Sequence, residues 1–341
     1  LEFRHHRVFP EKIRTDWDKV DWYALVRIAP IFFRLLTRNL QNMKKQKIRF
    51  IINPHSGINK KSEIENSIKR YLNHEKYEYE LRFTQYAGHA VGLAEDAVAK
   101  GFDVVVAVGG DGSVNEVASG LIGTSTFLAI LPLGSGNGFA GHLGLGRGAK
   151  YALKVINDGH SALVDTCLVN DEAFVNLVGF GFDGLVAKAL KGSKIRGLIG
   201  YARSILHHIF RYKASDFELI INDKPAITRR CYMLNIVNGT TYGYNFHFHS
   251  KAKLNDGIVH VLIIKDVARW RYLGLLYLSL RGKLHESKIV ETFDAKRVQV
   301  IPKENILMEI DGESIDGKSP YNIEVVPDSL NVIVPKGSEY L

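Results

Sequence analysis

Carboxylates in this chain recur inside glycine-flanked turns: Asp111 in Gly109-Gly-Asp-Gly112, Asp183 in Gly179-Phe-Gly-Phe-Asp-Gly184, and Asp311 with Glu313 in Asp311-Gly-Glu313. An acid in a turn is usually no more than a turn former, because its side chain bonds nearby backbone. The setting of Asp111 argues for chemistry. Its glycines let bare backbone approach a ligand, and a helix read from Val114 to Leu121 points its first unpaired N–H groups back into the turn. A second amide-rich loop, Leu131-Pro-Leu-Gly-Ser-Gly-Asn137, follows one strand later, with Gly134, Ser135 and Gly136 at its bend. Paired loops of this kind hold phosphate. Phosphoryl transfer needs such clamps, a divalent metal to neutralise phosphate oxygens, and a carboxylate to take the acceptor hydroxyl's proton.

The elements that must position these groups alternate strand and helix from Ile48 to about residue 157. Val104 to Val108 is a short, wholly apolar, β-branched run, suited to a strand buried on both faces of a parallel sheet. Tyr77, Tyr79, Leu81 and Phe83 alternate along a second strand that delivers Thr84 to the same sheet edge, where a nucleotide is expected. The rhythm changes near Leu163, after which short strands dominate, with helical pieces only at about Leu198–Phe210 and Val267–Leu280. The reading is therefore a parallel α/β domain over 43–162, an antiparallel β-rich domain over 163–326, and a C-terminal stretch, 327–341, that returns to the first domain.

With 46% hydrophobic and 24% charged residues, the 341-residue chain has the material for two real cores. Cys167 and Cys231 lie in apolar strand-like contexts and read as buried free thiols in a reducing, cytoplasmic setting. The net charge of +9 is scattered and comes with no nucleic-acid signature, so no nucleic-acid partner is expected. No apolar run is long enough to span a bilayer, and the charge fits peripheral attraction to an anionic membrane surface. Residues 1–42 read as an extension ahead of Met43, either added or an interfacial helix over Trp22–Leu40. No Gly-x-x-x-x-Gly-Lys-Ser/Thr sequence occurs, which excludes a P-loop mechanism.

Four stretches in order, Asn53-Pro54 with Gly57, Thr84-Gln-Tyr-Ala-Gly-His-Ala90, Gly109-Gly-Asp-Gly-Ser-Val-Asn-Glu116 and Pro132-Leu-Gly-Ser-Gly-Asn137, resemble the diacylglycerol kinase catalytic-domain family, which includes sphingosine and ceramide kinases. The resemblance implies an α/β nucleotide domain and an antiparallel β-sandwich-like lipid domain with a cleft between, using ATP and Mg²⁺ on a membrane lipid, and it is compatible with a homodimer. It implies nucleotide contacts at Asn53, Ser56, Thr84, Gly110, Asp111, Gly112, Ser113, Glu116, Gly134 and Ser135. Asp311 and Asp111 stand level as general base, Glu313 supports metal or nucleotide, and Asp165 joins Asp111 and Glu313 in the metal network. Asp183 resembles the acid that meets the lipid headgroup, with Lys194 and Arg196 placed to pair with phosphate oxygens. Glu116 has a plainer reading as a helix-dipole partner. Gly136-Asn-Gly-Phe-Ala-Gly141 departs from the bacterial diacylglycerol kinase pattern, which holds an acid where this chain has Gly138, and so leans toward sphingosine and ceramide kinases.

Two rivals stand beside this reading: an NAD kinase-like enzyme with a soluble acceptor, and a non-catalytic nucleotide-binding membrane regulator. His247 and His249, on one face of a strand, lack a third ligand in any recognisable metal motif.

Overall fold

Four segments form the parallel layer, mostly apolar except for the alternating β2. Strands β1 (Gln46–Ile52), β2 (Tyr77–Phe83), β3 (Val104–Gly109) and β4 (Phe127–Pro132) alternate with helices α1 (Lys61–Tyr71), α2 (His89–Ala99) and α3 (Asp111–Ser119). They pair in the order β2-β1-β3-β4, all parallel, with Phe50 opposite Val106 and Val106 opposite Ala129. Every residue of β3 is buried, which is why its sequence is a continuous apolar run rather than an alternating one. Helices α4 (Gly138–His142) and α5 (Ala149–Asp158) close this half.

The computed structural model describes residues 45–338, apart from 57–60, 147, 192–196, 244–245, 316 and 318. The extension over 1–42, Gly57, Lys194 and Arg196 therefore lie outside the described residues. The chain divides into Leu1–Lys45 and Gln46–Leu341, and every element here belongs to the second unit.

The β-rich half holds β5 (Ser161–Val169), β6 (Glu172–Phe174), β7 (Leu177–Gly181), helices α6 (Phe182–Lys191) and α7 (Gly197–His208), β8 (Ser215–Ile221) and β9 (Ile227–Val237). The short β10 (Thr241–Gly243) and β11 (Phe246–His247) precede β12 (Val259–Lys265) and helix α8 (Tyr272–Leu280). Then follow β13 (Val290–Ala295), β14 (Arg297–Pro302), β15 (Met308–Ile310), β16 (Glu313–Ile315) and β17 (Tyr321–Ile333). Pairing in this half is antiparallel throughout, and its core gathers Cys167, Phe180, Phe217, Leu234 and Val261. A third apolar cluster lies under α6, α7 and α8.

One long strand ties the halves together. β17 runs antiparallel to β14 and β5, then pairs in parallel with β4 at Val332 opposite Leu128. Buried polar groups finish the junction: the Asn238 side chain donates to the carbonyls of Asp165 and Val175, and His142 bonds Thr240 at 2.7 Å.

Two boundaries differ from the sequence reading. α3 begins at Asp111 rather than Val114, because Gly110 is extended and its carbonyl accepts the Val114 N–H at 3.0 Å. Asp183 lies in the first turn of a helix, not in a loop: Gly181, at φ 87°, turns the chain off β7, and Phe182 and Val186 then pack into the third cluster.

Candidate active site

The two glycine loops meet at the ends of β3 and β4. A Cβ on Gly110 would stand 3.2 Å from the Gly134 Cα, and one on Gly134 would reach 2.5 Å from the Gly110 Cα. Only glycines allow that approach. Asn137, held at φ 52°, donates its side-chain amide to the Gly134 carbonyl at 2.8 Å and closes the second loop. Asn53 donates to the Ser113 hydroxyl at 3.2 Å, joining the end of β1 to the start of α3.

Beside these loops lies a cavity of about 370 Å³, bordered by Asn53, Ser56, Thr84, Gly110, Gly112, Ser113 and Glu116, and by Glu313 from the other half. Gly134 abuts it through Gly110, and Ser135 is exposed at the tip of its loop. Glu116 is already engaged, since its carboxylate accepts the N–H groups of Gly88 and Ala90 at 2.9 and 3.0 Å. It caps α2 rather than its own helix.

The acids divide by access. Glu313 is exposed at the cavity, and its carboxylate packs on Gly112 so closely that a Cβ there would collide with it. Asp311, two residues earlier at φ 46°, is buried and accepts the N–H groups of Val175, Asn176 and Leu177 at 2.9, 3.0 and 2.9 Å. Burial pushes its carboxyl up to about 6 against those hydrogen bonds, with the charge of Asp111 adding to the rise. Asp111 accepts the Phe139 N–H at 3.4 Å, and burial pushes it up to about 6 as well.

Asp165 sits elsewhere. Its two oxygens accept the N–H groups of Gly257 and Asp328 at 2.7 and 2.9 Å, so it braces the junction. Asp183 borders a second, narrower cavity of about 80 Å³ whose other walls are apolar, among them Phe182, Ile205, Tyr232, Phe248 and Leu275.

Two residues with a place here escaped the sequence reading. Glu309, fully buried on β15, lies across from Gly179, which in turn faces Asn235. A Cβ on Gly179 would meet the side chains of Asp183, Asn235 and Glu309 together. Burial, then the charge of Asp183, holds the Glu309 carboxyl well above the usual range, and one of its oxygens accepts the Gly312 N–H at 2.7 Å. Tyr86, at the rim of the larger cavity, is 67% exposed and stacks on His89, presenting a ring face to solvent. The Thr84–Ala90 stretch was the signal for Tyr86; nothing in the sequence marks Glu309.

His249 stacks on His260 with ring centres 4.0 Å apart, and among the described residues no cluster of three His, Cys, Asp or Glu is arranged to hold a metal.

Residues 47–169 match the diacylglycerol kinase catalytic domain, and 176–334 match the YegS C-terminal NAD kinase beta sandwich-like domain. The chain belongs to the diacylglycerol kinase catalytic-domain family. It is 29% identical to a probable lipid kinase YegS-like protein of Chromohalobacter salexigens, over 76% of this chain and 85% of that one. It is 28% identical to a diacylglycerol kinase of Bacillus subtilis, over 85% of this chain and 97% of the relative. The fold is similar to that of a crystallised diacylglycerol kinase from Bacillus anthracis, with a TM-score of 0.68 and 20% identity over 87% of this chain and all of that one. An NAD kinase of Archaeoglobus fulgidus crystallised with ATP shares the fold more distantly, with a TM-score of 0.51 and 15% identity over 85% of this chain and 95% of its own. Membership makes this chain an ATP-dependent lipid kinase. Among the described residues no helix is long and apolar enough to cross a membrane.

Proposed function

We propose that the cavity at the glycine loops takes the phosphates of ATP, and that the apolar cavity beyond Asp183 takes the chain of a lipid whose hydroxyl receives the γ-phosphoryl group. One observation carries this reading: a single hairpin, β15–β16, borders the phosphate-loop cavity and packs beside Asp183, which borders the apolar one. Its Glu313 rests on Gly112 of the phosphate loop, and its Glu309 meets Asp183 over Gly179 beside the apolar one.

Backbone N–H groups at Gly110–Ser113 and in the second loop would bind phosphate oxygens at the start of α3. Glu313, open to the cavity, is placed to accept the acceptor hydroxyl's proton, whereas Asp311, committed to three amides, fixes the turn that carries it. Mg²⁺ takes oxygen donors and keeps to one or two carboxylates plus nucleotide phosphates rather than an all-protein cage, so Asp111 and Glu313 suit it. Bound there, it would neutralise phosphate oxygens. Apolar walls around Asp183 favour a lipid acceptor such as diacylglycerol, a sphingoid base or ceramide over a dinucleotide. Incubation with labelled ATP and those three lipids in mixed micelles, with NAD as a parallel acceptor, tests the reading. Label in lipid is the expected result; label in NAD alone would overturn it.

A further inference from the structure

Helix α8 reads Tyr272-Leu-Gly-Leu-Leu-Tyr-Leu-Ser-Leu280 and is apolar on every side. A helix of that kind is normally enclosed. Here only one side is: Tyr272, Leu275, Leu276 and Ser279 face the narrow cavity, while Leu273, Tyr277 and Leu280 stand exposed, joined by Trp270 at 70% exposure just before the helix. At nine residues it is roughly 14 Å long, too short for a hydrocarbon core of about 30 Å. The helix can lie in an interface but cannot cross it.

Charge selects the interface. Between Val267 and His285 every charged residue is basic, with Arg269 and Arg271 before the helix and Arg281 and Lys283 after it. The Arg281 guanidinium lies 5.8 Å from the Tyr277 ring, at the edge of the exposed strip. Helix α7, which walls the same cavity with Ile205 and Ile209, repeats the arrangement: Leu206 and Phe210 are exposed, and from Gly197 to Ala214 the chain carries Arg203, Arg211 and Lys213 but no acid. Tryptophan and tyrosine at a headgroup boundary, with arginine and lysine flanking apolar side chains, match an anionic bilayer surface.

We propose that the outer face of Trp270–Leu280, flanked by Arg271 and Arg281, docks the protein on an anionic lipid bilayer. The inner face of the same helix lines the apolar cavity, so docking would set that cavity against the lipid phase. This deepens the lipid-kinase reading and rests on it for its purpose, but the contact itself needs neither ATP nor turnover and is measured without them.

The test is flotation of the full chain with phosphatidylcholine vesicles that do or do not contain phosphatidylglycerol. Wild type should float with the anionic vesicles. Trp270→Ser, Tyr277→Ser and Leu280→Ser combined should lower partitioning by about ten-fold or more, and Arg271→Glu with Arg281→Glu by a similar factor. These side chains are exposed, and circular dichroism checks that each variant remains folded. In a Trp17→Phe, Trp22→Phe background Trp270 is the sole tryptophan, and its emission should shift to the blue and be quenched by lipids brominated near the headgroup. Flotation that neither variant reduces, or a Trp270 emission indifferent to vesicles, would overturn the proposal. So would a dimer in light scattering that the serine variant dissociates while no vesicle binds, because a second copy would then cover the face.

Discussion

Glu313 and Asp311 stand two residues apart, and the proposed function gives them different tasks. Glu313 is free at the cavity, so Glu313→Gln should cut kcat by about 10²-fold or more while ATP affinity stays within a few-fold. Asp311→Asn would set a donor against the amides of Val175, Asn176 and Leu177, and should cost about 1–3 kcal/mol in chemical unfolding. A stable Asp311→Asn protein without turnover, beside an active Glu313→Gln, would reverse the two roles. Gly110→Val would drive a side chain into Gly134 and should abolish ATP binding in calorimetry with the circular dichroism spectrum unchanged. Under the proposed reading, Asp183 would bear on the choice among lipids. A sphingoid amine would gain a charge-assisted bond to it worth about 1.5–3 kcal/mol, so Asp183→Ala should slow a sphingoid acceptor far more than diacylglycerol. Equal losses on the two lipids would show that Asp183 acts on the fold rather than on the headgroup.

The β15–β16 hairpin borders one cavity and packs beside Asp183 at the other, and it shows what a sequence can and cannot reveal. The glycine loops are legible because close backbone approach, as between Gly110 and Gly134, leaves a glycine at each contact point. The acid turn at Asp311 is legible for the same reason, through Gly312 at φ 89°. Glu309 is not, because a single Glu between Met308 and Ile310 looks like the solvent-facing residue of an alternating strand. Its burial arises only when β7 lays Gly179 opposite it and β9 brings Asn235 to the far side. The capping role of Glu116 is hidden for a related reason: it lines the cavity, and its oxygens also serve α2, a helix that precedes it in the chain. Because burial and the charge of Asp183 favour the neutral Glu309 carboxyl, Glu309→Gln should retain near-normal stability at pH 7, while Glu309→Ala should lose about 1–3 kcal/mol by leaving the Gly312 amide unpaired. Comparable losses in both variants would mean that the carboxyl is ionised in the folded protein.

Across the whole molecule, Asp111 and Asp311 come from different halves; burial raises the proton affinity of both, and the charge of Asp111 adds to the rise at Asp311. Each moves from 3.8 to about 6 on folding, so between those values the folded chain holds protons that the unfolded chain has released. The associated stability is fully present below about pH 4 and is lost as pH climbs through 6. His249, which burial pushes down to about 4, works in the opposite sense: its contribution is present above about 6.5 and lost as pH falls toward 4. The net curve of the wild type therefore mixes two trends, and a variant is needed to separate them. Asp111→Asn removes one acid and also lowers the proton affinity of Asp311. Relative to wild type, its unfolding free energy should rise by about 2–3 kcal/mol as pH goes from 4 to 7, read from urea midpoints at fixed ionic strength. A difference that stays flat, or that falls with pH, would show that burial does not raise the Asp111 carboxyl in the folded protein.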